Sequence, residues 1–416
     1  MISHLSVNPE LRLSMPSESV RHSSARKVDL ALESHGLVGR VRELPASTRT
    51  AADAAAALGC EVRQIVKSLL FRREPSGNPV LALVAGDHRL DEDWVFRQTG
   101  ERWTREDPER VRATAGFAIG GVPPIGHPTP LPTVIDYDLL EQREVWAAAG
   151  HPNAVCRITS TELLRVTRGR PMAVVPLAGG TGGHDSWITF DCYGTIIDWR
   201  SSLIAGLGRL LGSVSEADGE RFFQAYLEEE RLLEAGTYRP YREILPAAVR
   251  RAAHRLGVSV GASGPDELPG TIPEWPTFPD SKDALDNLRA TGWKVAILSN
   301  IDRELLDQTL RAHDLKVDLT VTAEDVRSYK PDLAHWIRFL KTTGSAPEQG
   351  WHVSAGYEYD IPPASLLGFS TAYIARYGPP PATVEGLTVH PDLADFVRRV
   401  NVGPPPRSGR AGPGRP

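Results

Sequence analysis

Cysteine is scarce: Cys60, Cys156 and Cys192 are the only 3 in 416 residues. Their number is odd and no two form a CxxC pair. A disulfide framework or a thiolate zinc site is therefore not expected, which fits a reducing cytoplasm. No run of about 18 apolar residues occurs, so a membrane-spanning helix is not expected. The opening stretch, MISHLSVNPELRLSMPSESVRHSS, lacks an apolar segment long enough for a secretory signal. Charge of one sign is lacking too. The net charge of −5 argues against a chain whose main task is coating nucleic acid. The histidines make no metal-spaced set; His88, His127, His151 and His184 read as surface residues of loops. No internal repeat is present.

What is present is length and two kinds of pattern. A single core rarely grows beyond about 250–300 residues, so 416 residues predict at least two domains. An apolar fraction of 41% is enough to build ordinary cores. GGTGG, inside PLAGGTGGHDS (176–186), reads as a flexible linker between the strand-like runs MAVV and WITF. Residues 1–24 and the Pro-, Gly- and Arg-rich residues 403–416 read as disordered.

Residues 25–175 alternate irregularly. VDLALESH and TAADAAAAL have helical character, with Gly59 a plausible C-cap. IVKSLLF and PVLALVAG read as buried strands around a hairpin-like RREPSGN. DEDWVFRQTG reads as a helix and LPTVID as a strand. DLLEQREVWAAAG reads as a helix, followed by strand and helix at 155–165. The sum is an α+β domain. Residues 187–402 instead alternate strand and helix: WITFD, KVAILSN, VDLTVTAED, GWHVSAG and TAYIAR are the strands. That predicts an α/β, Rossmann-like parallel sheet, with ligands at the carboxyl ends of the strands. The strand-poor stretch at about 203–276 interrupts it.

Asp191 ends the first of these strands. Alone, it reads first as a helix cap. Ser299 and Asn300 end the next strand, Lys330 lies in SYKPD, and Asp360 follows the strand HVSAG. The predicted sheet brings these groups to one edge. Together they make a nucleophile site: a carboxylate attacks carbon or phosphorus, and water cleaves the resulting ester. Lys330 keeps the carboxylate ionised, Ser299 and Asn300 donate to an anionic substrate group, and Thr195 orients Asp191.

FDCYGT, LSN, the lysine of SYKPD, and HVSAGYEYDIPPASLLGFSTAYIAR resemble the four ordered motifs of the haloacid-dehalogenase (HAD) superfamily. FDCYGTIIDW is most similar to the type II haloacid dehalogenases. The resemblance covers about 187–402. It implies a Rossmann-like core with an inserted helical cap at about 203–276, and substrate contacts from Tyr193 and Ser354. Two departures oppose the superfamily's magnesium phosphatases. Tyr193 stands where they carry a second aspartate, and Ala355 where they carry a metal-holding acid. One carboxylate partner is then missing from an octahedral magnesium shell, so no cofactor is expected. The resemblance also implies a cap arginine for the substrate, for which Arg231 and Arg239 are the candidates. Gly356 replaces a polar side chain.

In the first half, Lys67 shares a strand face with Ile65 and Leu69. A lysine among apolar groups is costly without a partner or a role. IVKSLLF, LALVAGDHRLD, GGVPPIGH, LPTVIDYDLL and VWAAAGHPNAV, in that order, resemble the YbaK/EbsC-type aminoacyl-tRNA editing family. The resemblance implies hydrolysis of the ester between a mischarged amino acid and tRNA. Lys67 would hold phosphate or polarise the ester, and amides at Gly120 and Gly121 would hold the carbonyl oxygen. Asp136 would shape the pocket or cap a helix.

Among the remaining residues, EEER (228–231) reads as a solvated helix face. Arg97, Arg102, Arg105, Arg110 and Arg112 read as surface, with tRNA phosphate contact the alternative. Trp199 and Trp275 read as packing between core and cap. The expected partners are a small-molecule substrate and tRNA. The reading that follows is a bifunctional hydrolase. Its rivals are a tRNA-binding or regulatory protein with one or both sites degenerate, and a phosphatase.

Overall fold

The computed structural model describes residues 22–44, 50–177, 186–212, 216–261 and 263–400. Most of the proposed tails and the 178–185 part of the glycine-rich linker lie outside these, as does His184.

The first half is built on one mixed sheet. Its strands are β1 (Val41–Glu43), β2 (Ile65–Glu74), β3 (Pro79–Ala85), β4 (Arg102–Arg105), β5 (Thr133–Asp136), β6 (Glu144–Ala148), β7 (Ala154–Thr159) and β8 (Arg170–Met172). The order is β1-β7-β6-β2-β3-β5-β8, with β4 on β2. β2 and β3 form the expected hairpin, and β3 is fully buried from Leu81 to Ala85. The helix Ala51–Leu58 starts with a capping box between Thr50 and Asp53 and ends at Gly59 in the left-handed region (φ 68°).

One expectation fails here. The predicted helix over DLLEQREVWAAAG is a single turn, Tyr137–Leu140, followed by the strand β6. The alanines favour helix locally, yet β6 pairs with both β2 and β7. Val145 and Ala147 are fully buried by strand alternation. Tertiary pairing overrides a weak local propensity. The helix Pro108–Ala115 carries part of the arginine run and was not anticipated.

The second half has the predicted parallel sheet. Its strands are β9 (Trp187–Phe190), β10 (Lys294–Ser299), β11 (Leu319–Thr322), β12 (Trp351–Ser354), β13 (Ser370–Ile374) and β14 (Thr388–His390). The order β11-β10-β9-β12-β13-β14 puts β9 between β10 and β12. The chain winds to one side of β9 and then to the other. The carboxyl end of β9 is thus a topological switch point, where open α/β sheets place ligands. Asp191 is the next residue. Val295, Ile297, Leu298 and Val353 are fully buried, each contributing about 1.5–3 kcal/mol.

The cap comprises the helices Trp199–Leu211, Glu216–Glu234, Tyr241–Leu256 and Gly264–Thr271. It begins a turn earlier than 203, because Asp198 caps the first helix by accepting from Ser201 N. Its two connections run side by side: Asp198 N donates to Pro276 O and Phe278 N to Ile196 O. The buried Asp302 takes the backbone N–H of Tyr241 and of Arg242, at 2.8 and 2.9 Å, and fixes the cap over the core.

The halves pack on each other. Leu139 and Leu140 share one apolar cluster with Trp336, Phe339 and Leu340 of the helix Ala334–Thr343. Lys341 at its end donates to Asp138 (2.6 Å) and Glu141 (2.9 Å). No helix among the described residues is long and apolar enough to cross a membrane.

Candidate active site

Asp191 continues β9 by donating its N–H to Val353 O. The chain must then turn at once. Gly194 permits this at φ 108°, where a Cβ would meet Trp199 Nε1 at 2.9 Å. Asp191 Oδ1 accepts from Lys330 Nζ at 2.9 Å and Oδ2 from Thr195 Oγ1 at 3.0 Å. Thr195 Oγ1 in turn accepts from Ala355 N at 2.9 Å.

Lys330 is almost fully buried and spends every proton. Besides Asp191, its ammonium donates to Asp360 Oδ1 at 2.7 Å and Leu298 O at 3.0 Å. Asp360 also accepts from Ser354 Oγ at 2.9 Å and lies 3.0 Å from His352 Nε2. His352 Nδ1 lies 2.8 Å from Thr189 Oγ1 on β9. Burial pushes Asp360 up, but Lys330 and His352 overcome it and hold the carboxyl at about 2. Burial pushes Asp191 up, Lys330 opposes it, and Asp360's charge adds to the rise, leaving Asp191 above its ordinary value. Burial works against the Lys330 charge, but the two carboxylates raise its pKa well above the ordinary value.

Asp191 opens onto a 240 Å³ cavity between core and cap. Tyr193, Lys330, Asn300, Gly356 and Asp360 line it with Asp191, as do Trp199, Leu227, Tyr359 and Tyr377. The structure assigns several side chains differently from the sequence reading. Ser299 is buried and lines no part of the cavity. The Asn300 amide is tied to the Lys330 backbone, accepting from its N–H at 2.7 Å and donating one N–H to its C=O at 3.1 Å. Ser299 is therefore not placed to meet a substrate anion, whereas Asn300 borders the cavity and keeps one amide N–H. Ser354 lies behind Asp360 and outside the cavity. Trp199 lines the cavity, whereas Trp275 packs edge-on against Tyr193 as expected of a junction residue.

Glu230 is the largest departure. Read as part of a solvated face, it is 7% exposed and lines the cavity with Glu234. Arg231 lines the cavity as well, as a cap arginine for the substrate would, and is ion-paired at its rim with Glu358 at 2.9 Å. Arg239 does not line the cavity. The sequence signal for Glu230 was the tyrosine four residues before it. Tyr226 shares its helix face and donates to its carboxylate.

A magnesium shell does not fit these residues. The ammonium of Lys330 already lies between the two carboxylates. Tyr193 donates to or accepts from Thr309 Oγ1 (2.8 Å) rather than offering a carboxylate, and Ala355 offers none.

The first half has its own cavity, of 340 Å³, lined by Lys67 and Gly120 together with Thr50, Ala54, Trp146 and Pro152. Lys67 Nζ donates to His88 O, and burial lowers its pKa. Gly121 does not line the cavity. Its N–H donates to Ala118 O, so it cannot hold a substrate carbonyl. A Cβ there would meet His151 N at 2.9 Å, which accounts for the glycine. Asp136 also lies outside the cavity. It caps Tyr137–Leu140, accepts from Ala85 N at 3.1 Å and pairs with His88 at 2.8 Å.

His88 is thus no loose surface residue. Its ring nitrogens meet Asp136 and Asp138, which raise its pKa to about 10. These three residues offer ligand atoms within 4.8 Å of one another, but the imidazolium and Lys341 already balance the carboxylates.

A parallel sheet with a carboxylate at its switch point, a lysine beside it and a helical cap above defines an aspartate-centred α/β hydrolase scaffold. Residues 186–368 match the profile of the haloacid dehalogenase-like hydrolases, and residues 45–166 that of the aminoacyl-tRNA editing domain. The chain is 30% identical over 196 residues to (S)-2-haloacid dehalogenase 4A of Burkholderia cepacia, covering 46% of this chain and 84% of that one. It is 32% identical over 124 residues to the uncharacterized protein YwhH of Bacillus subtilis (strain 168), covering 30% of this chain and 78% of that one. A solved structure of a candidate trans-editing enzyme for prolyl tRNA synthetase is 51% identical, covering 37% of this chain and 98% of that one, with a TM-score of 0.35. The chain belongs to the haloacid dehalogenase-like hydrolase family and carries an aminoacyl-tRNA editing domain fused ahead of the hydrolase domain.

Proposed function

We propose that the chain is a bifunctional hydrolase of the cytoplasm, with its junction at 176–186. In the second domain Asp191 attacks a substrate carbon. The carboxylate oxygen forms a C–O bond as the bond to the leaving group breaks and that group departs with the electron pair. Water then adds to the Asp191 carbonyl carbon, the alcohol product leaves, and the carboxylate is restored. The observation that carries this reading is the placement of Asp191. It is held by Lys330 and Thr195 and opens on a small, aromatic-walled cavity. Lys330 maintains the ionised nucleophile, and Asp360, Ser354 and His352 maintain Lys330. Attack on carbon is favoured over phosphoryl transfer because Tyr193 and Ala355 leave neither a second acid nor a magnesium shell.

In the first domain Lys67 and the backbone at Gly120 border one cavity. They suit the ester of a mischarged aminoacyl-tRNA, with tRNA as partner and Lys67 polarising the ester or holding phosphate. The test is a turnover screen of the purified chain against halogenated carbon compounds, phosphate esters and mischarged tRNAs, with and without chelator. Chelator-resistant release of halide supports the reading. Chelator-sensitive phosphate release as the sole hydrolase activity contradicts it.

A further inference from the structure

We propose that His88 is a positioning residue for the editing reaction: it holds the Lys67 ammonium at the first domain's cavity and is braced by Lys341 of the hydrolase domain. The inference rests on the reading of Lys67 as the residue that meets the aminoacyl-tRNA.

A lysine ammonium rides on a flexible four-carbon stem, so a partner must fix where it points. Among the described residues Lys67 Nζ has one hydrogen bond, to the backbone carbonyl of His88. An ammonium carries three donors, so two stay available to the cavity that Lys67 borders. The place of that carbonyl therefore decides the place of the Lys67 charge.

The carbonyl belongs to the loop that follows β3, and the His88 ring fastens that loop. Nδ1 meets Asp136 Oδ2 at 2.8 Å and Nε2 meets Asp138 Oδ2 at 3.1 Å. Asp136 is itself fixed. It is 1% exposed, ends β5, and accepts from Ala85 N at the end of β3 at 3.1 Å. An imidazolium donates to both carboxylates at once, whereas a neutral ring donates to only one. The two acids keep the ring in its doubly protonated form at neutral pH. His88 does not border the cavity, so it acts through Lys67 and not on the substrate.

Asp138 is the joint between the domains. Its Oδ2 takes the His88 ring, and its Oδ1 takes Lys341 Nζ at 2.6 Å from the helix Ala334–Thr343. Lys341 also holds Glu141 at 2.9 Å. One line of contacts thus runs from a helix of the hydrolase domain to the lysine of the editing cavity. The Lys341 side chain is 26% exposed, so its share of the bracing is the smaller one.

The test reads Lys67 directly. The full chain is treated with trace acetic anhydride at neutral pH, and acetylation of Lys67 is followed in the peptide containing IVKSLLF. An ammonium held by a carbonyl is a poor nucleophile, so its release speeds acetylation. His88→Ala is expected to raise the Lys67 rate at least threefold and Lys341→Met about twofold. Lys341→Arg, which keeps the cation, is expected to restore the wild-type rate. On a mischarged tRNA that the chain deacylates, His88→Ala is expected to lower kcat at least tenfold with KM within about twofold. Lys341→Met is expected to lower kcat about twofold to threefold. Should His88→Ala not fold, the comparison of Lys341→Met with Lys341→Arg carries the test. Acetylation at the wild-type rate in every folded variant overturns the proposal, as does a deacylation loss confined to KM. A response to His88→Ala with none to Lys341→Met overturns the part of the hydrolase domain. Faster acetylation with full deacylation by Lys67→Ala, or with no deacylation by the wild type, overturns the role of Lys67 and leaves the clamp.

Discussion

His352 Nε2 lies 3.0 Å from Asp360 Oδ1, on the side of that carboxylate away from the cavity. Asp360 touches the nucleophile only through Lys330, so His352 is a positioning residue at two removes. His352→Gln should lower kcat at least tenfold and leave KM within about twofold. It should also cost about 1–3 kcal/mol in urea unfolding, because a buried carboxylate loses a partner. An unchanged kcat contradicts the assignment.

The Asp191 carboxyl stands above its ordinary value because burial outweighs Lys330. Attack needs the ionised form, which is lost as pH falls through that raised pKa. The acid limb of kcat/KM should therefore lie above about pH 4, the usual aspartate range. Thr195→Val removes the 3.0 Å hydrogen bond that favours the carboxylate, and should move the limb to still higher pH. A limb at or below pH 4, or one unmoved in the variant, counts against Asp191 as the titrating group.

Lys67 donates to one backbone carbonyl and borders the first domain's cavity. Lys67→Ala should abolish deacylation of mischarged tRNA while the melting temperature stays within a few degrees. Unchanged deacylation would reduce Lys67 to a wall residue.

The domain contact also makes a prediction. Lys341 links to Asp138 and Glu141 beside the shared apolar cluster of Leu139, Leu140 and Phe339. Chains nicked between 178 and 185 should still co-elute on size exclusion. Lys341→Glu should weaken that association by about 1 kcal/mol, a modest loss because the ion pairs are partly solvent-screened. Separation of the nicked wild-type halves would contradict the contact.

Much of this site is legible in order along the chain, because each strand of a parallel sheet delivers its last residue to the same edge. Asp191 follows from that rule, and Lys330 and Asp360 from the segments that come after β11 and β12. The roles of Ser299, Asn300 and Gly121 do not, since they depend on burial for Ser299 and on hydrogen bonds already made for Asn300 and Gly121. β6 was hidden because its alanines favour helix until β2 and β7 flank it. Glu230 was hidden by its neighbours. Glu228, Glu229 and Arg231 make a solvated pattern that masks the signal of Tyr226, and the packing of Tyr241, 11 residues on, adds to that of Tyr226 in turning one acid inward. The Lys341–Asp138 pair spans 203 residues and leaves no local trace.

The central claim is that Asp191 forms the covalent bond. A single turnover in heavy-oxygen water, with enzyme in excess over a substrate found in the screen, tests it directly. Water cleaves the ester at the aspartyl carbon, so the heavy oxygen should first appear in Asp191, within the peptide containing FDCYGT, while the product carries ordinary oxygen. Heavy oxygen in the product and none in that peptide would mean direct attack by water, and would contradict the account.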